Sequence, residues 1–346
     1  MQPSVNNNIF ISIACWRDPL IYNTINSAIN NSSFPNNLFF GIVFQGYKED
    51  NYIIKKLKSI DANIKIIYID AASQNASIYI TELRGNISMK NYAGEKYFLQ
   101  IDSHTKFAPK WDISLIAELE LANEKFGPSV ITTQSSDFLH WDKPFNYRPQ
   151  TTLPDKNVFN NIGQAVIGNI CDKEKNYQIL EKFFNANCLF CYSSTFFNIE
   201  YPNNIVFQYE QPVMSLVLWT GGYNLVSSTV NYVSVYNFHT PESNIKRIDR
   251  QADPRWMKII HDEEPQQRII YEKMFSNEND KIKTNKRSIK DYLNFIGYDP
   301  ITLNVNKTNH EKTDYYYIDN YVLNNKIYNV YKKIKSGLIS KSANYI

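Results

Sequence analysis

The sequence predicts an α/β protein, and two patterns in its first third indicate this class. Short apolar runs alternate with segments of helical character up to Asp70, in the order strand, helix, strand, helix, strand. A further apolar run, Tyr97–Ile101, is followed directly by the polar triplet Asp102-Ser103-His104. Such alternation is typical of a Rossmann-like sheet, in which ligands bind beyond the carboxyl ends of the strands.

Apolar periodicity and turn residues predict the individual elements. We expect strands at 8–16, 38–45, 64–69, 97–101, 129–133 and 230–238, and helices at 20–30, 51–60, 77–92, 111–124, 207–219, 255–261, 265–275 and 288–296. Pro19 opens the first helix, where a proline is well tolerated, and Gly85 weakens the third. Residues 134–168 are expected to form a long functional loop. The tail from Asp314 is expected to form either an added strand pair and helix or an interaction segment.

Composition excludes several classes of protein. The 346-residue chain is 43% hydrophobic with 25 tyrosines and 20 phenylalanines, enough for a substantial core. Its net charge of +3 does not by itself indicate nucleic-acid binding, and we expect neither a signal peptide nor a transmembrane segment. The four cysteines, including the lone Cys188-x-x-Cys191 pair, predict buried free thiols and a reducing, cytoplasmic location.

Asp102 and His104 are the candidate metal ligands. Residues i and i+2 of an extended segment point the same way, so both side chains would hold one divalent ion with Ser103 turned away. An oxygen ligand suits Mg²⁺ or Mn²⁺, and the histidine shifts the preference toward Mn²⁺. Taken alone, the triplet is more typical of a turn aspartate beside a solvated histidine.

Six segments, taken in order, resemble successive motifs of one family. They are IFISIACWRDP (9–19), GIVFQ (41–45), GEKYFLQIDSHTKFAPKWD (94–112), GPSVITT (127–133), YEQPVMSLVLWTGGYNL (209–225) and RSIKDYLNFIGYD (287–299). The family is glycosyltransferase family sixty, the polypeptide α-N-acetylglucosaminyltransferases. The resemblance implies a GT-A fold with a Rossmann-like mixed central sheet flanked by helices, a divalent metal, and retaining transfer of GlcNAc from UDP-GlcNAc to a hydroxyl acceptor on a protein or glycan.

The resemblance also implies roles for residues at matching positions. Asp102 and His104 match the family's D-x-H form of a metal-binding motif, and His239 lies where a late histidine ligand is expected. The implied contacts to the nucleotide, its diphosphate or the sugar are Arg17, Asp18, Gln45, Arg84 and Ser103, and the implied catalytic carboxylates are Asp102 and Glu210.

Each of these assignments has a plainer alternative. Arg17 would instead pair with Asp18 or with a carboxylate at a helix amino terminus. His239 would be a strand-end histidine bonded to backbone. Glu210 would bind the acceptor hydroxyl or the donor sugar, or be a first-turn glutamate favoured by the helix dipole. Trp219 is more typical of core than of a substrate platform.

The sequence departs from the family pattern around the donor sugar. Gln211 replaces a second carboxylate after Glu210, Gly221 stands where a histidine is expected, and the stretch expected to receive the sugar is Asn185-Ala186-Asn187. These departures keep two alternatives open. One is the same catalyst with another UDP-hexose, building a surface polysaccharide. The other is a catalytically inactive nucleotide- or sugar-binding module.

We expect the GT-A catalytic domain over residues 1–275, with a nucleotide half at about 1–133 and a sugar and acceptor half at about 134–275. Residues 276–346 form a helical, tyrosine- and lysine-rich extension in this prediction. His140 and Trp141, in the expected long loop, are candidate acceptor contacts. The expected partners are a UDP-sugar donor and a hydroxyl acceptor, without nucleic acid.

Overall fold

The computed structural model describes residues 7–73, 77, 79–147, 150–153, 166–170, 177–199, 201–238, 240–243, 254–275, 286–299, 304–305 and 315–343. The strands are β1 (Ile9–Trp16), β2 (Leu38–Gly46), β3 (Asn63–Asp70), β4 (Tyr97–Ile101), β5 (Thr105–Phe107), β6 (Ser129–Thr132), β7 (Ser136–Phe138), β8 (Gln150–Leu153), β9 (Val166–Ile170), β10 (Tyr177–Ile179), β11 (Cys188–Tyr192), β12 (Asn224–Val226), β13 (Val233–Tyr236), β14 (Tyr298–Asp299), β15 (Asn304–Val305) and β16 (Tyr315–Tyr317). The helices are α1 (Ile21–Asn31), α2 (Asn51–Lys58), α3 (Trp111–Phe126), α4 (Ser193–Asn198), α5 (Phe207–Thr220), α6 (Pro254–Phe275), α7 (Ile289–Ile296) and α8 (Asn320–Ala343), with 3₁₀ turns at Pro35–Asn37 and Lys48–Asp50 and a π-helical turn at Glu82–Ile87.

Seven strands form one mixed sheet in the order β12-β6-β11-β4-β1-β2-β3. Strand β1 pairs in parallel with both β2 and β4, and β2 pairs in parallel with β3. Strand β11 runs antiparallel between β4 and β6. Because the chain leaves β1 toward β2 and returns on its other side as β4, the strand order reverses at β1. A crevice at the carboxyl ends of β1 and β4 is the place where such sheets bind ligands.

Both faces of the sheet are covered, which is why β4 is buried along its whole length and apolar except at Gln100. Tyr97, Leu99 and Ile101 of β4 belong to a core cluster that includes residues of α1 and α3. Phe98 points to the other face and joins a cluster with residues of α5, α6 and α7. The predicted α/β class, with a mixed central sheet flanked by helices, is confirmed.

Three expectations about local structure are corrected. Residues 134–168 do not form one long loop, because strands β7 and β8 and the start of β9 lie within this range. Strand β7 pairs with β13 in a three-stranded sheet. Such short, partly polar strands carry no detectable period. The two helices expected around Pro265 are a single helix, α6. Pro265 is exposed, and it removes one backbone hydrogen bond without ending the helix.

The helix expected at 77–92 is present but shorter, at 80–89, and its centre is the π-helical turn, where Gly85 lies against a neighbouring ring. A Cβ at Gly85 would stand 2.5 Å from Cδ1 of Tyr201. The missing side chain therefore lets the aromatic ring contact the backbone, and the expected weakness near Gly85 takes the form of a widened turn.

Three of the four cysteines lie in the described residues, and all three are buried and free. Cys188 and Cys191 are three residues apart on β11 and belong to core clusters on opposite faces of the sheet. The prediction of buried free thiols is therefore confirmed for both of them. Cys171 lies outside the described residues.

The tail is packed against the body of the protein. Strand β16 pairs with β10, and α8 buries Leu323, Val330 and Ile334 against neighbours that include α3. Of the two expectations for the tail, the added strand and helix are present. No helix among the described residues has the length and apolar character needed to span a bilayer.

Candidate active site

Two segments meet at the carboxyl ends of β1 and β4. Asp18 follows β1, and Asp102, Ser103 and His104 follow β4. Asp18 Oδ2 lies 2.9 Å from His104 Nδ1 and accepts a 2.7 Å hydrogen bond from Ser103 Oγ. Asp18 Oδ1 accepts from the backbone N–H of Leu20 at 2.9 Å, just before α1 begins. One carboxylate therefore joins the two segments that the sequence singled out.

The environment of Asp18 keeps it ionised. Burial raises the pKa of its carboxyl, but the hydrogen bonds and positive charge of His104, together with the bonds from Ser103 and Leu20, bring the pKa below its usual value. Since an ionised carboxylate only accepts hydrogen bonds, His104 Nδ1 is the donor. When the imidazole is neutral, its free lone pair is therefore on Nε2.

The turn after β4 differs from the expected extended segment. Residues 102–104 form a turn between β4 and β5, so side chains do not alternate there. Ser103 Oγ reaches Asp18 and lies 3.5 Å from His104 Nδ1, so the expectation that Ser103 turns away is wrong. Thr24 on α1 anchors this turn by donating to the Ser103 carbonyl at 2.7 Å and accepting from the Thr105 N–H at 2.8 Å.

Arg84 is a buried cation between two carboxylates. Its Nη2 lies 2.5 Å from Asp102 Oδ1, and its Nη1 lies 2.8 Å from Glu210 Oε2. Nη1 also donates to the Ala186 carbonyl at 3.2 Å. Burial lowers the pKa of the guanidinium, but the charges of Glu210 and Asp102 raise it above its usual value. Arg84 is thus permanently charged and holds Asp102 in place.

Glu210 lies in the interior. Its side chain is 0% exposed, and Oε1 accepts from Gln100 Nε2 at 3.3 Å while Oε2 pairs with Arg84. Burial raises the pKa of the Glu210 carboxyl, and Arg84 offsets this only in part. Gln100 also accepts from the hydroxyl of Tyr201 at 2.9 Å. Both oxygens of Glu210 are therefore engaged by protein groups.

Arg17 and Gln45 also have protein partners. Arg17 Nε lies 2.6 Å from Asp50 Oδ2, and its guanidinium stands 4.7 Å from the centre of the Tyr47 ring. The hydrogen bond to Asp50 is the main cause of its raised pKa. Of the alternatives for Arg17, pairing with a carboxylate at a helix amino terminus is present, since Asp50 directly precedes α2.

Gln45 is 1% exposed at the end of β2. It donates to the Ser77 carbonyl at 3.2 Å and accepts from the Ser77 N–H at 2.9 Å. This paired contact ties Ser77 to β2 on the carboxyl side of the sheet.

Asn187 and Gln100 are site residues to which the sequence assigned no individual role. Asn187 immediately precedes β11, in which Cys188 pairs with Ile101, so it lies level with Asp102. Its Oδ1 is buried and has no hydrogen-bond partner among the described residues. Gln100 had one sequence signal, since it is the polar residue within an otherwise apolar run.

The remaining sequence candidates lie elsewhere or have other contacts. Trp219 packs on Tyr292 and Phe295 at ring distances of 5.5 and 6.0 Å, as expected of core. His140 is exposed, and Trp141 packs on the ring of Phe138. His239 lies outside the described residues.

The donor atoms present fit part of the shell of a divalent cation. Asp102 Oδ2 and His104 Nε2 accept no hydrogen bond from the described residues, and these side chains are 24% and 13% exposed. A histidine whose other ring nitrogen donates to a carboxylate is the usual arrangement of a metal ligand. Within the described part of the chain, no three His, Cys, Asp or Glu side chains gather as a metal site. Asp102 and His104 thus supply one oxygen and one nitrogen of the kinds that bind divalent cations, and by donor type they fit two of the ligands of such an ion.

Comparisons with solved structures return many matches, and those described next are at low identity. Staphylococcus aureus TarS 1-349 in complex with UDP-GlcNAc is 12% identical, with a TM-score of 0.41, over 74% of this chain and 66% of that one. GalNAc-T7 with UDP, GalNAc and Mn²⁺ is 11% identical, with a TM-score of 0.49, over 82% and 53%. A mannosyltransferase from Pyrobaculum calidifontis with GDP-Man and Mn²⁺ is 6% identical, with a TM-score of 0.40, over 65% and 55%. The chain thus covers between about half and two thirds of the length of these proteins.

A comparison with curated protein sequences finds no match. A family model does match: the one described as glycosyltransferase (GlcNAc) aligns with residues 8–81 and 55–302. The matched ranges include both segments that meet at Asp18 and the whole seven-stranded sheet. The family number sixty stays a prediction, but the match extends over most of the chain. The chain therefore belongs to the glycosyltransferase (GlcNAc) family.

Proposed function

We propose that this protein is a divalent-metal-dependent glycosyltransferase of the GT-A type that moves GlcNAc from UDP-GlcNAc to a hydroxyl group on a protein or glycan. The observation that carries the proposal is the joining of Asp18, His104 and Ser103 at the carboxyl ends of β1 and β4, with Asp102 held beside them by Arg84. Family membership supports the reaction class and the sugar.

The metal is Mn²⁺ or Mg²⁺ in this proposal, held by Asp102 and His104, with His239 as a third ligand. A divalent ion bound there would neutralise the negative charge that develops on the departing diphosphate. Asp18 supports this role by keeping Nδ1 of His104 protonated and Nε2 available. Arg84 supports it by orienting Asp102 and adding a fixed positive charge nearby.

Several predicted site residues act by positioning others in this proposal. Glu210 pairs with Arg84, and Gln100 donates to Glu210 and to the Ala186 carbonyl. In this proposal Glu210 therefore fixes the orientation of Arg84 and does not contact the acceptor. Gln45 holds Ser77. Arg17, locked by Asp50, shapes the turn that bears Asp18 beside the nucleotide.

The reaction proceeds at the anomeric carbon with retention of configuration. The acceptor oxygen forms a bond to this carbon on the face from which UDP leaves, the bond to the β-phosphate oxygen breaks, and the departing phosphate takes the acceptor proton. Asn187, with its buried Oδ1 level with Asp102, is placed to receive a donor-sugar hydroxyl or N-acetyl N–H. We further propose a cytoplasmic location, supported by the buried free thiols of Cys15, Cys188 and Cys191.

The test is UDP release from four donors, UDP-GlcNAc, UDP-GalNAc, UDP-Glc and UDP-Gal, each with Mn²⁺. We expect slow hydrolysis that is fastest with UDP-GlcNAc and that Asp102→Ala abolishes. The exposed Asp61→Ala is the matched control and should hydrolyse UDP-GlcNAc like the wild type. Preference for another donor would contradict GlcNAc as the transferred sugar. No UDP release from any donor would contradict the proposed activity and favour a binding module.

A further inference from the structure

One side of helix α8 packs against the rest of the protein. Leu323, Val330 and Ile334 are buried on that side. Lys326 at its border pairs with Glu120 at 3.2 Å and Glu124 at 2.5 Å, both on α3. The packing and the two ion pairs account for this side of the helix, and they neutralise Lys326.

The opposite side of α8 carries exposed tyrosines among exposed lysines. Tyr321 is 74% exposed and Tyr328 is 53% exposed. The ammonium of Lys332 stands 4.6 Å from the centre of the Tyr328 ring, and Lys335 follows about one turn later. Positions 321, 328, 332 and 335 recur at helical spacing along one line. We call Tyr321, Tyr328, Lys332 and Lys335 the Lys–Tyr face.

The charge of this segment has a single sign. Residues 320–346 contain five lysines and no aspartate, glutamate or arginine. Lys333 lies close enough to Lys96 that its charge, after burial, contributes to lowering the pKa of Lys96. Cations near a helix carboxyl end favour the helix dipole, which accounts for lysines there. The helix dipole does not account for the exposed tyrosine rings between these lysines.

The Lys–Tyr face lies at the end of the sheet away from the candidate site. Tyr331 packs at 5.3 Å on Phe34, which precedes β2, and Lys333 lies near Lys96, which precedes β4. Both contacts are at the amino ends of parallel strands, whereas Asp18 and Asp102 follow the carboxyl ends of β1 and β4. A partner bound to this face would leave the site open to donor and acceptor.

We propose that the Lys–Tyr face binds the surface of an anionic lipid bilayer. Lysines next to such a surface are attracted by its negative potential, and tyrosine is enriched at the level of lipid headgroups because its ring is apolar and its hydroxyl is polar. The face is a single line along one helix, which suits a flat surface. The apolar side of α8 stays packed on the protein, so the helix lies on the bilayer and does not insert. This inference does not depend on the proposed sugar transfer.

Vesicle binding by the full chain tests the proposal. The probes are vesicles of phosphatidylcholine alone and vesicles with a third of phosphatidylglycerol, at low and high salt. We expect binding to the anionic vesicles only, weakened by salt. Replacing Lys332 and Lys335 together with glutamine should weaken this binding about 25-fold, or about fivefold per lysine.

The matched control is the double change Lys55→Gln and Lys58→Gln, because these lysines are also exposed on one helix, α2, with the same spacing of three residues. It should bind anionic vesicles like the wild type, and circular dichroism checks that both variants are folded. Tyr321→Ser with Tyr328→Ser should cause a smaller loss that persists at high salt. Equal losses from both lysine variants, or no vesicle binding at all, would overturn the proposal. Binding to heparin without binding to vesicles would replace the bilayer with a soluble polyanion.

Discussion

His104 Nδ1 lies 2.9 Å from Asp18 Oδ2, although 86 residues separate the two in sequence. The contact crosses from the end of β1 to the end of β4, neighbours in the sheet. It makes the turn after the first strand and the Asp102-Ser103-His104 triplet parts of one site. Because Asp18 accepts a hydrogen bond from Nδ1 of His104, Nε2 is the ring nitrogen left for a ligand. This role of Asp18 differs from direct contact with a nucleotide.

Changing Asp18→Asn should weaken the metal site without removing a ligand. An asparagine does not enforce the Nδ1–H tautomer, and losing such a supporting carboxylate costs about 10- to 100-fold in metal affinity. Titration of Mn²⁺ in the presence of UDP measures this. Glu49→Gln, which removes an exposed carboxylate from the neighbouring ion pair of Arg17, is the control and should change little. Equal Mn²⁺ affinity in Asp18→Asn and wild type would contradict the role of Asp18.

Arg84→Met should destabilise the fold. It leaves the buried Glu210 and the partly buried Asp102 without their cation, and breaking a buried ion pair from one side costs about 3–5 kcal/mol. Urea denaturation measures the free energy of unfolding. Adding Glu210→Gln to Arg84→Met removes the uncompensated buried charge and should restore part of the loss. A double variant no more stable than the single one would show that charge is not the cause.

Gly85→Ala should destabilise the π-helical turn that bears Arg84. The new Cβ would stand 2.5 Å from the Tyr201 ring, and overpacking of this kind costs about 1–3 kcal/mol. Gly337→Ala is the matched control, since a Cβ on this glycine of α8 meets nothing within 4 Å. It should stabilise the protein by about 0.5–1 kcal/mol. Equal thermal stability of both variants would show that Gly85 is not required by packing.

Glu118 should make folding stability depend on pH. Burial raises the pKa of its carboxyl, and hydrogen bonds from Thr229, Gln178 and Tyr232 offset this only in part. The folded chain therefore holds this proton more tightly than the unfolded chain. The resulting stabilisation is complete below about pH 4 and is lost as pH rises through the raised pKa.

Replacing Glu118 with glutamine removes this dependence. The difference in free energy of unfolding between Glu118→Gln and wild type should move in favour of the variant between about pH 4 and pH 8. Denaturation at several pH values measures it, with the exposed Glu242→Gln as the control for loss of a carboxylate. A flat difference would mean that Glu118 ionises as easily in the folded chain as in the unfolded one.

The fold was predictable where burial imposes a period. Strand β4 is apolar except at Gln100 because both of its faces are covered, and its bounds match the prediction. The short strands between 134 and 168 were not predictable, since three residues such as Ser136–Phe138 carry no period and their pairing with β13 is set by the tertiary fold. Strand β11 is distant from β4 in sequence, yet it pairs with β4 in the sheet. This pairing is also set by the tertiary fold.

The location of the candidate site was predictable from the sequence, but most of its side-chain contacts were not. The position of Asp102 and His104 after β4 followed from the strand pattern. Their partners did not, because Arg84 reaches Asp102 from the π-helical turn and Asp18 reaches His104 from β1. The buried position of Glu210 also had no sequence signal, since a glutamate in a first helical turn is usually exposed.

The affinity of the protein for UDP, measured by calorimetry with Mn²⁺ and again with the metal chelated, tests the central claim most directly. If Asp102 and His104 hold a cation that binds the diphosphate, chelation should weaken UDP binding by more than about tenfold, and His104→Ala should remove this dependence on metal. UDP binding of equal affinity with and without Mn²⁺ would contradict the account.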